Sequence, residues 1–420
     1  MDADVLCSEL VATMRAAGKV RTAAVERAFL TVRRHLFVPS VALDVAYHDD
    51  VIFTKSRDGV SLSACSQPSI VAEMLELLDV HEGHRVLEVG AGTGYNAALL
   101  EALAGGRGRV VTLDIDQDIV DGARVNLSAA GLGAAIDVQR GDGGFGWPAG
   151  VPYDRVIVTA GAWDVAPAWF EQLAVGGRLV VPVEFRDVHK LVTFERLDDR
   201  LSSRDVRDCR FVQLRGAFAG PERQIPLDGG GLYLSTLREA VDGERLAGLL
   251  GEPGRAVALP VPLSPTELHQ GLRLWLALRS PDFCMLSLEG TALHRSTVRA
   301  WEVTPARTLR TPGPEARFAS APGLLDDAGL CLVERDADDE RPVLRTYGDA
   351  AGVAARLSAD LLAWNAAGRP FTSDLAIDAI PLADAGTAPV PDREPVAIVD
   401  KRWFRYVFAR SRVVAPDVDG

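Results

Sequence analysis

The stretch VLEVGAGTGY (86–95) sets Gly90, Gly92 and Gly94 between a short apolar run and a helix-forming one. Glycines at that spacing let the backbone turn tightly against a ligand, and the free N–H groups of the helix that follows can hold it. Asp114 comes twenty residues after Gly94, at the end of the next apolar run. A carboxylate there can accept hydrogen bonds from both hydroxyls of a ribose. These features alone leave a dinucleotide-binding dehydrogenase open. Two more acidic residues point elsewhere. Glu88 stands inside the strand, two residues before the first glycine, where a buried carboxylate needs a donor or a cation. It suits the ammonium and sulfonium charges of S-adenosylmethionine and opposes the diphosphate of NAD. Asp142, in GDGGFGW (141–147), is placed to accept from an adenine amino group, and Gly143 lets the backbone come near.

Just ahead of the glycine loop lies SLSACSQPSIVAEML (61–75), in which small polar residues precede Pro68 and an amphipathic run. Proline suits the first turn of a helix. Ser61 and Ser63 read as a solvated turn that caps it. Cys65 has no neighbouring base or cation in the sequence and reads as a small buried thiol. His35 and His48 are assigned no role.

The elements that must carry these residues follow from periodicity. Residues 1–35 read as helical, 41–66 as irregular. From 68 to 183 strands alternate with helices, the pattern of a parallel sheet covered on both faces. HKLVTFERLDD (189–199) and RDCRFVQLRG (207–216) read as antiparallel strands that close this unit, and the Gly/Pro-rich 217–232 as a boundary loop. Beyond it, YLSTLREAVDGERLAGLL reads as helix, PTELHQGLRLWLALRS as mixed, and DFCMLSLEG and GLCLVERD as strands. DAAGVAARLSADLLAWNAAG reads as a long helix, 383–396 as a loop, and KRWFRYVFARSRV as a strand. The expected fold class is α/β, with domains at 1–220 and 233–420, the second of α+β type.

Composition narrows the partners. A net charge of −13 over 420 residues argues against nonspecific nucleic-acid binding, which needs a basic face. Five scattered cysteines, without a CxxC or Cys/His cluster, predict neither a disulfide framework nor a zinc site, so no metal is expected. No apolar run reaches the length of a membrane helix, and the acidic start MDADVLCSEL does not read as a signal peptide. The expected location is the cytoplasm.

From about residue 20 to about 216 the chain resembles the protein-L-isoaspartate (D-aspartate) O-methyltransferases. The resemblance is carried by RRHLFVPS, AYHDD, SQPSIVAEMLELLDV, VLEVGAGTGYNAALL, GDG, YDRVIVTAGA, LAVGGRLVVPV and RFVQLRG, in that order. It implies a Rossmann-like, seven-stranded class I methyltransferase fold that uses S-adenosylmethionine and yields S-adenosylhomocysteine. It implies a cofactor site of Gln67, Glu88, Gly90, Gly92, Gly94, Tyr95, Asp114, Ile115, Asp142 and Gly143. It also implies that Ser66 sits where methyl donor meets acceptor, its hydroxyl holding a carboxylate oxygen in line with the methyl group. Positioning is most of what this transfer needs, because a carboxylate is already nucleophilic. The family's Thr-Ile-Ser segment here reads Ala64-Cys65-Ser66, and Arg215 stands where the family often has Thr. Ala64, Cys65 and Arg215 are therefore expected to bear on substrate choice.

The residues after 233 and the altered segment resemble a subgroup found with ribosomally synthesised modified peptides of the lanthipeptide and graspetide type. That resemblance implies methylation of an ordinary Asp in a precursor peptide, possible partners including a cyclised one, followed by closure to an aspartimide or isoaspartate. The aromatics Trp275, Trp301, Trp364, Trp403, Phe404, Tyr406 and Phe408 are candidate peptide contacts. The alternatives are a conventional isoaspartate repair methyltransferase and a non-catalytic cofactor-binding module.

Overall fold

The computed structural model describes residues 2–57, 60–221, 223–229, 231–290, 292–302, 318–336, 341–384 and 394–411. Helices Ala3–Ala16 and Ala23–Thr31 open the chain. An antiparallel hairpin follows, β1 (Ile52–Arg57) and β2 (Val60–Cys65), with Cys65 opposite Ile52. The 41–66 segment was expected to be irregular. Its alternation is hidden because β2 turns Ser61, Ser63 and Cys65 inward, all at most 8% exposed. The two serines are thus part of a buried strand face and not a solvated turn. Thr54 donates to Ser63 Oγ (3.1 Å) across the hairpin.

Next come β3 (Arg85–Val89), β4 (Arg109–Asp114), β5 (Ile136–Arg140), β6 (Tyr153–Val158), β7 (Leu173–Phe185), β8 (Val188–Arg196) and β9 (Leu201–Asp208). They line up as β5-β4-β3-β6-β7-β8-β9, parallel from β5 to β7 and antiparallel from there to β9. These are the seven strands of a methyltransferase fold. The last is 201–208 and not the expected 207–216. Residues 209–216 form no strand and are joined to the sheet by a bridge between Gly161 and Gln213.

A second, antiparallel sheet is then inserted: β10 (Arg223–Pro226), β11 (Leu232–Thr236), β12 (Arg255–Val257), β13 (Phe283–Glu289), β14 (Trp301–Glu302), β15 (Phe318–Leu325), β16 (Gly329–Arg335) and β17 (Pro342–Gly348). The helix expected from Tyr233 begins only at Gly243, where Asp242 accepts from Arg245 N (3.0 Å) as an N-cap; the Leu-Tyr-Leu-Ser-Thr alternation before it is β11. Helix Ala351–Ala366 packs on this sheet, burying Val353, Leu357, Leu361 and Trp364.

The chain then returns. β18 (Leu375–Pro381), β19 (Pro395–Asp400) and β20 (Phe404–Arg410) extend the first sheet beyond β9 in the order β9-β18-β20-β19. The expected division at 233 is therefore not a clean cut, since the last strands belong to the first sheet. One apolar core runs from Leu87 and Trp169 through Leu272 and Val353 to Ile377 and Phe408. Tyr406 seals the joint: its hydroxyl donates to Asp164 Oδ1 (2.7 Å) and accepts from Val165 N (2.9 Å). Phe404, Tyr406 and Phe408 are at most 1% exposed, so that aromatic run is core and not a peptide-binding face. Trp275 and Trp364 are buried as well. The expected loop at 383–396 lies largely outside the described residues.

Candidate active site

At the end of β3 the chain turns at Gly90, with φ at 103°. A Cβ there would lie 2.4 Å from Thr159 Oγ1, so a side chain would collide with the end of β6 as well as strain the backbone. The N–H groups of Gly90 and Ala91 both donate to Leu113 O (2.8 Å each), which ties the loop to β4. Gly92 passes close to β2: a Cβ there would stand 3.4 Å from Ala64 O. The serine-rich strand and the glycine loop thus face each other.

Ser66 directly follows β2 and is held from both sides. Its carbonyl accepts from Arg34 Nη1 (3.0 Å), while Arg34 Nη2 donates to Asp50 O (3.0 Å) and the guanidinium lies over the Tyr95 ring. Arg34 is fully buried. Asp49 accepts from Ser69 N (2.8 Å) and from Gln67 Nε2 (3.2 Å), fastening the start of helix Pro68–Leu78. Arg34 and Asp49 were missed as site residues. The available signal was an arginine pair kept inside an apolar run, LTVRRHLFVPS, and the AYHDD fragment that stands between it and Ser66.

Glu88 is fully buried, with Oε1 accepting from Asn96 Nδ2 (2.7 Å) and Oε2 from Thr112 Oγ1 (2.6 Å). Burial nonetheless pushes its carboxyl up to about 7. Asp114 accepts from Gly92 N (3.3 Å) and Asp116 N (3.2 Å), and burial raises its carboxyl too. Each oxygen of Asp142 accepts one backbone N–H, from Gly144 (3.0 Å) and from Ala217 (2.7 Å), so the carboxylate staples the β5 end to the segment after β9 beside the cavity wall. Its neighbour Gly143 does reach it, packed so closely on β3 that a Cβ would lie 2.3 Å from Val89 Cγ1. Arg215 is spent on Asp116 in a two-pronged contact (2.8 and 3.3 Å); with Lys55 it holds that carboxyl down at about 2.

These residues open into one cavity of about 950 Å³. Its inner wall carries Ser66, Gln67, Glu88, Gly90, Gly92 and Asp114, and Ala64, Cys65, Tyr95, Ile115, Gly143 and Arg215 border it. Gly94 caps helix Tyr95–Ala104 behind the loop. Cys65 is buried, as a structural thiol would be. Three buried side chains at the β7–β8 turn, Glu184, Asp187 and His189, bring potential ligand atoms within 4.8 Å of one another. Glu184 there already accepts from Gln213 Nε2 (2.6 Å) and Asp187 N (3.1 Å), and Arg210 stands 3.9 Å from Asp187, while Asp187 Oδ2 and His189 Nδ1 have no hydrogen-bond partner among the described residues.

The family model for protein-L-isoaspartate(D-aspartate) O-methyltransferase matches residues 6–218, just over half of the chain. The chain belongs to this family. A protein-L-isoaspartate O-methyltransferase of Methanopyrus kandleri is 42% identical over 216 residues, which are 51% of this chain and 93% of the relative. One from Rhodopseudomonas palustris is 39% identical over 209 residues, 49% of this chain and 82% of the relative. A solved protein-L-isoaspartate O-methyltransferase structure shares the fold over 89% of this chain and 96% of its own, with a TM-score of 0.51 at 24% identity. The likeness in fold therefore continues past residue 218, and extra length by itself does not single out the modified-peptide subgroup.

The chain is an S-adenosylmethionine-dependent protein carboxyl O-methyltransferase by family. The site fits that cofactor. Glu88 and Asp114 line the glycine-loop half of the cavity, and the nearby guanidinium of Arg215 is neutralised by Asp116. Such a pocket favours a cation and opposes a diphosphate. The charge argument for Glu88 changes in detail, because Asn96 and Thr112 already satisfy it. No helix of the described residues is long and apolar enough to cross a membrane.

Proposed function

We propose that this protein methylates the free α-carboxylate of an L-isoaspartyl residue in a peptide or protein. The observation that carries the reading is the cavity itself. Ser66, the glycine loop and Asp114 share one space of about 950 Å³, near the upper end of the roughly 300–1,000 Å³ range of ligand pockets, which leaves room for an acceptor beside a cofactor. S-adenosylmethionine supplies the electrophilic methyl group. Ser66 donates its hydroxyl hydrogen to one acceptor oxygen and so aims the other along the line of transfer. No general base is needed, because the acceptor is already an anion. Arg34 and Asp49 act through Ser66 and Gln67, fixing the backbone on which the hydroxyl stands. The methyl ester formed is open to attack by the following backbone nitrogen. Methanol leaves, a succinimide closes, and hydrolysis returns aspartate together with isoaspartate.

Two peptides identical except for one Asp or isoAsp residue test the reading. Methyl esters, read as base-labile methanol release, should form on the isoaspartyl peptide.

A second reading, methylation of an ordinary Asp in a ribosomally made, modified peptide, is favoured by one feature. The cavity's outer wall is furnished by the C-terminal extension, through His269, Arg273, Trp301 and Phe318. A wall of that kind can select one peptide among many. Ester or water loss only on a constrained Asp peptide would favour this second reading.

A further inference from the structure

The cavity has an outer half that the methyl transfer does not use. The chain enters it through Ser264–Glu267, a turn closed by a capping box, and then through a π turn over Leu268–Leu272 that leads into helix Arg273–Arg279. π turns recur at functional sites because they re-aim side chains that a regular helix would turn away. Here His269, Gln270 and Arg273 lie on the cavity wall. Gly271 permits the turn to pack: a Cβ there would come within 2.8 Å of Pro370 O and 3.1 Å of the Trp364 ring.

The chemistry of this half is cationic, inside a protein whose net charge is −13. Arg273 places Nη2 on Ser320 (2.9 Å to Oγ, 3.3 Å to the carbonyl), yet its buried Nε has no partner. Arg210 also lines this half, its guanidinium 4.7 Å from the centre of the Phe318 ring. Two anions share the space. Asp208 is paired with the buried Lys190, and Asp187 faces His189 and Arg210. His269 is held neutral, its imidazole pulled down to about 4 by burial and by Arg273. Burial draws Arg273 down only to about 10, so it stays charged at neutral pH.

We propose that this outer half is a carboxylate-binding subsite for the substrate peptide, with Arg273 and Arg210 as its ligands. It rests on the reading of the inner half as a peptide carboxyl methyltransferase site. An incoming carboxylate would engage the part of the Arg273 guanidinium that lines the cavity and would relieve the repulsion between two arginines. The carboxylate is either an acidic side chain near the methylated residue or the terminal carboxylate of a short peptide.

The test compares isoaspartyl peptides carrying Glu or Gln at successive flanking positions, each with a free or an amidated C-terminus, on the full-length protein. The wild type should show a kcat/KM about ten- to hundredfold higher for one acidic placement, the range expected of a charged hydrogen bond. The effect should lie in KM. Dependence on Glu with amidation neutral assigns a side chain; dependence on the free terminus alone assigns the end of the chain. Arg273→Met should lower kcat/KM on the preferred acidic peptide about ten- to hundredfold more than on the Gln, amidated peptide, which abolishes the preference. Arg210→Gln should reduce the preference without touching the core. Equal turnover of acidic and neutral peptides overturns the subsite and leaves the methyltransferase reading intact. So does an equal loss on both peptides in Arg273→Met. No methylation of any isoaspartyl peptide overturns both.

Discussion

Glu88 offers a quantitative handle on how the site holds a cationic cofactor. Burial raises its carboxyl from 4.5 to about 7 while Asn96 and Thr112 donate to both oxygens. If the ionised form is the one that binds the ammonium group, affinity must follow its titration. With a pKa of about 7, roughly 9% is ionised at pH 6 and roughly 90% at pH 8, so Kd should be about tenfold tighter at pH 8, a difference of about 1.4 kcal/mol. S-adenosylhomocysteine is the ligand to use, since it keeps the ammonium group and undergoes no transfer. Calorimetry in two buffers of different ionisation heat should also detect release of part of a proton on binding near pH 6.5. Glu88→Gln should weaken binding at pH 8 and flatten the profile. The stability of the free protein runs the other way. A carboxyl whose pKa is higher folded than unfolded loses stability as pH rises from 4.5 to about 7, on the order of 3 kcal/mol in all. Glu88→Gln should therefore melt above the wild type at pH 8 and match it near pH 4.5. A pH profile for ligand binding that is unchanged by Glu88→Gln would show that Glu88 does not hold the ammonium group.

Other perturbations probe the supports of the site. Ser66→Ala should lower kcat by about ten- to hundredfold with little change in the affinity for S-adenosylhomocysteine, the loss expected when one orienting hydrogen bond to a charged acceptor is removed. Arg34→Ala leaves Ser66 O and Asp50 O without their donor and a cavity beside Tyr95; urea unfolding should show about 2–4 kcal/mol of destabilisation and the Ser66 defect together. Gly143→Ala drives a methyl group into Val89, which should cost about 1–3 kcal/mol of stability and weaken cofactor binding. Tyr406→Phe removes the hydroxyl that serves Asp164 and Val165, and about 1–3 kcal/mol of denaturant stability should go with it, since the joint of extension and first sheet loses its buried link.

Much of this was legible in the sequence, for reasons that differ by element. The parallel strands are continuous apolar runs, and β3 with the glycine loop declares itself because Gly90 has no substitute at its φ of 103° and its approach to Thr159. Arg34 was harder to assign, because its partners are backbone carbonyls at Asp50 and Ser66, and carbonyls leave no mark in residue types. β2 was hidden for the opposite reason. Its inward residues are Ser61, Ser63 and Cys65, so the usual contrast of apolar and polar faces is lost. An acidic residue in a glycine-rich turn has two uses, and residue types alone do not show that Asp142 accepts from the backbone N–H groups of Gly144 and Ala217. The return of β18 to β20 to the first sheet follows from pairing across more than 170 residues, such as Ala379 with Leu201, which no local pattern records. The outer half of the cavity was equally invisible, since Arg210 and Arg273 come near each other only once helix Arg273–Arg279 packs on β7 and β8.

Methyl transfer to an isoaspartyl α-carboxylate in the inner half of the cavity is tested most directly by mass spectrometry of a single-turnover reaction with S-adenosylmethionine and an equal mixture of isoaspartyl and aspartyl forms of one peptide, with fragmentation to locate the added methyl group. One methyl group should appear on the isoaspartyl α-carboxyl, followed by the succinimide. Methyl transfer to the aspartyl side chain, with the isoaspartyl form unmodified, would contradict this assignment.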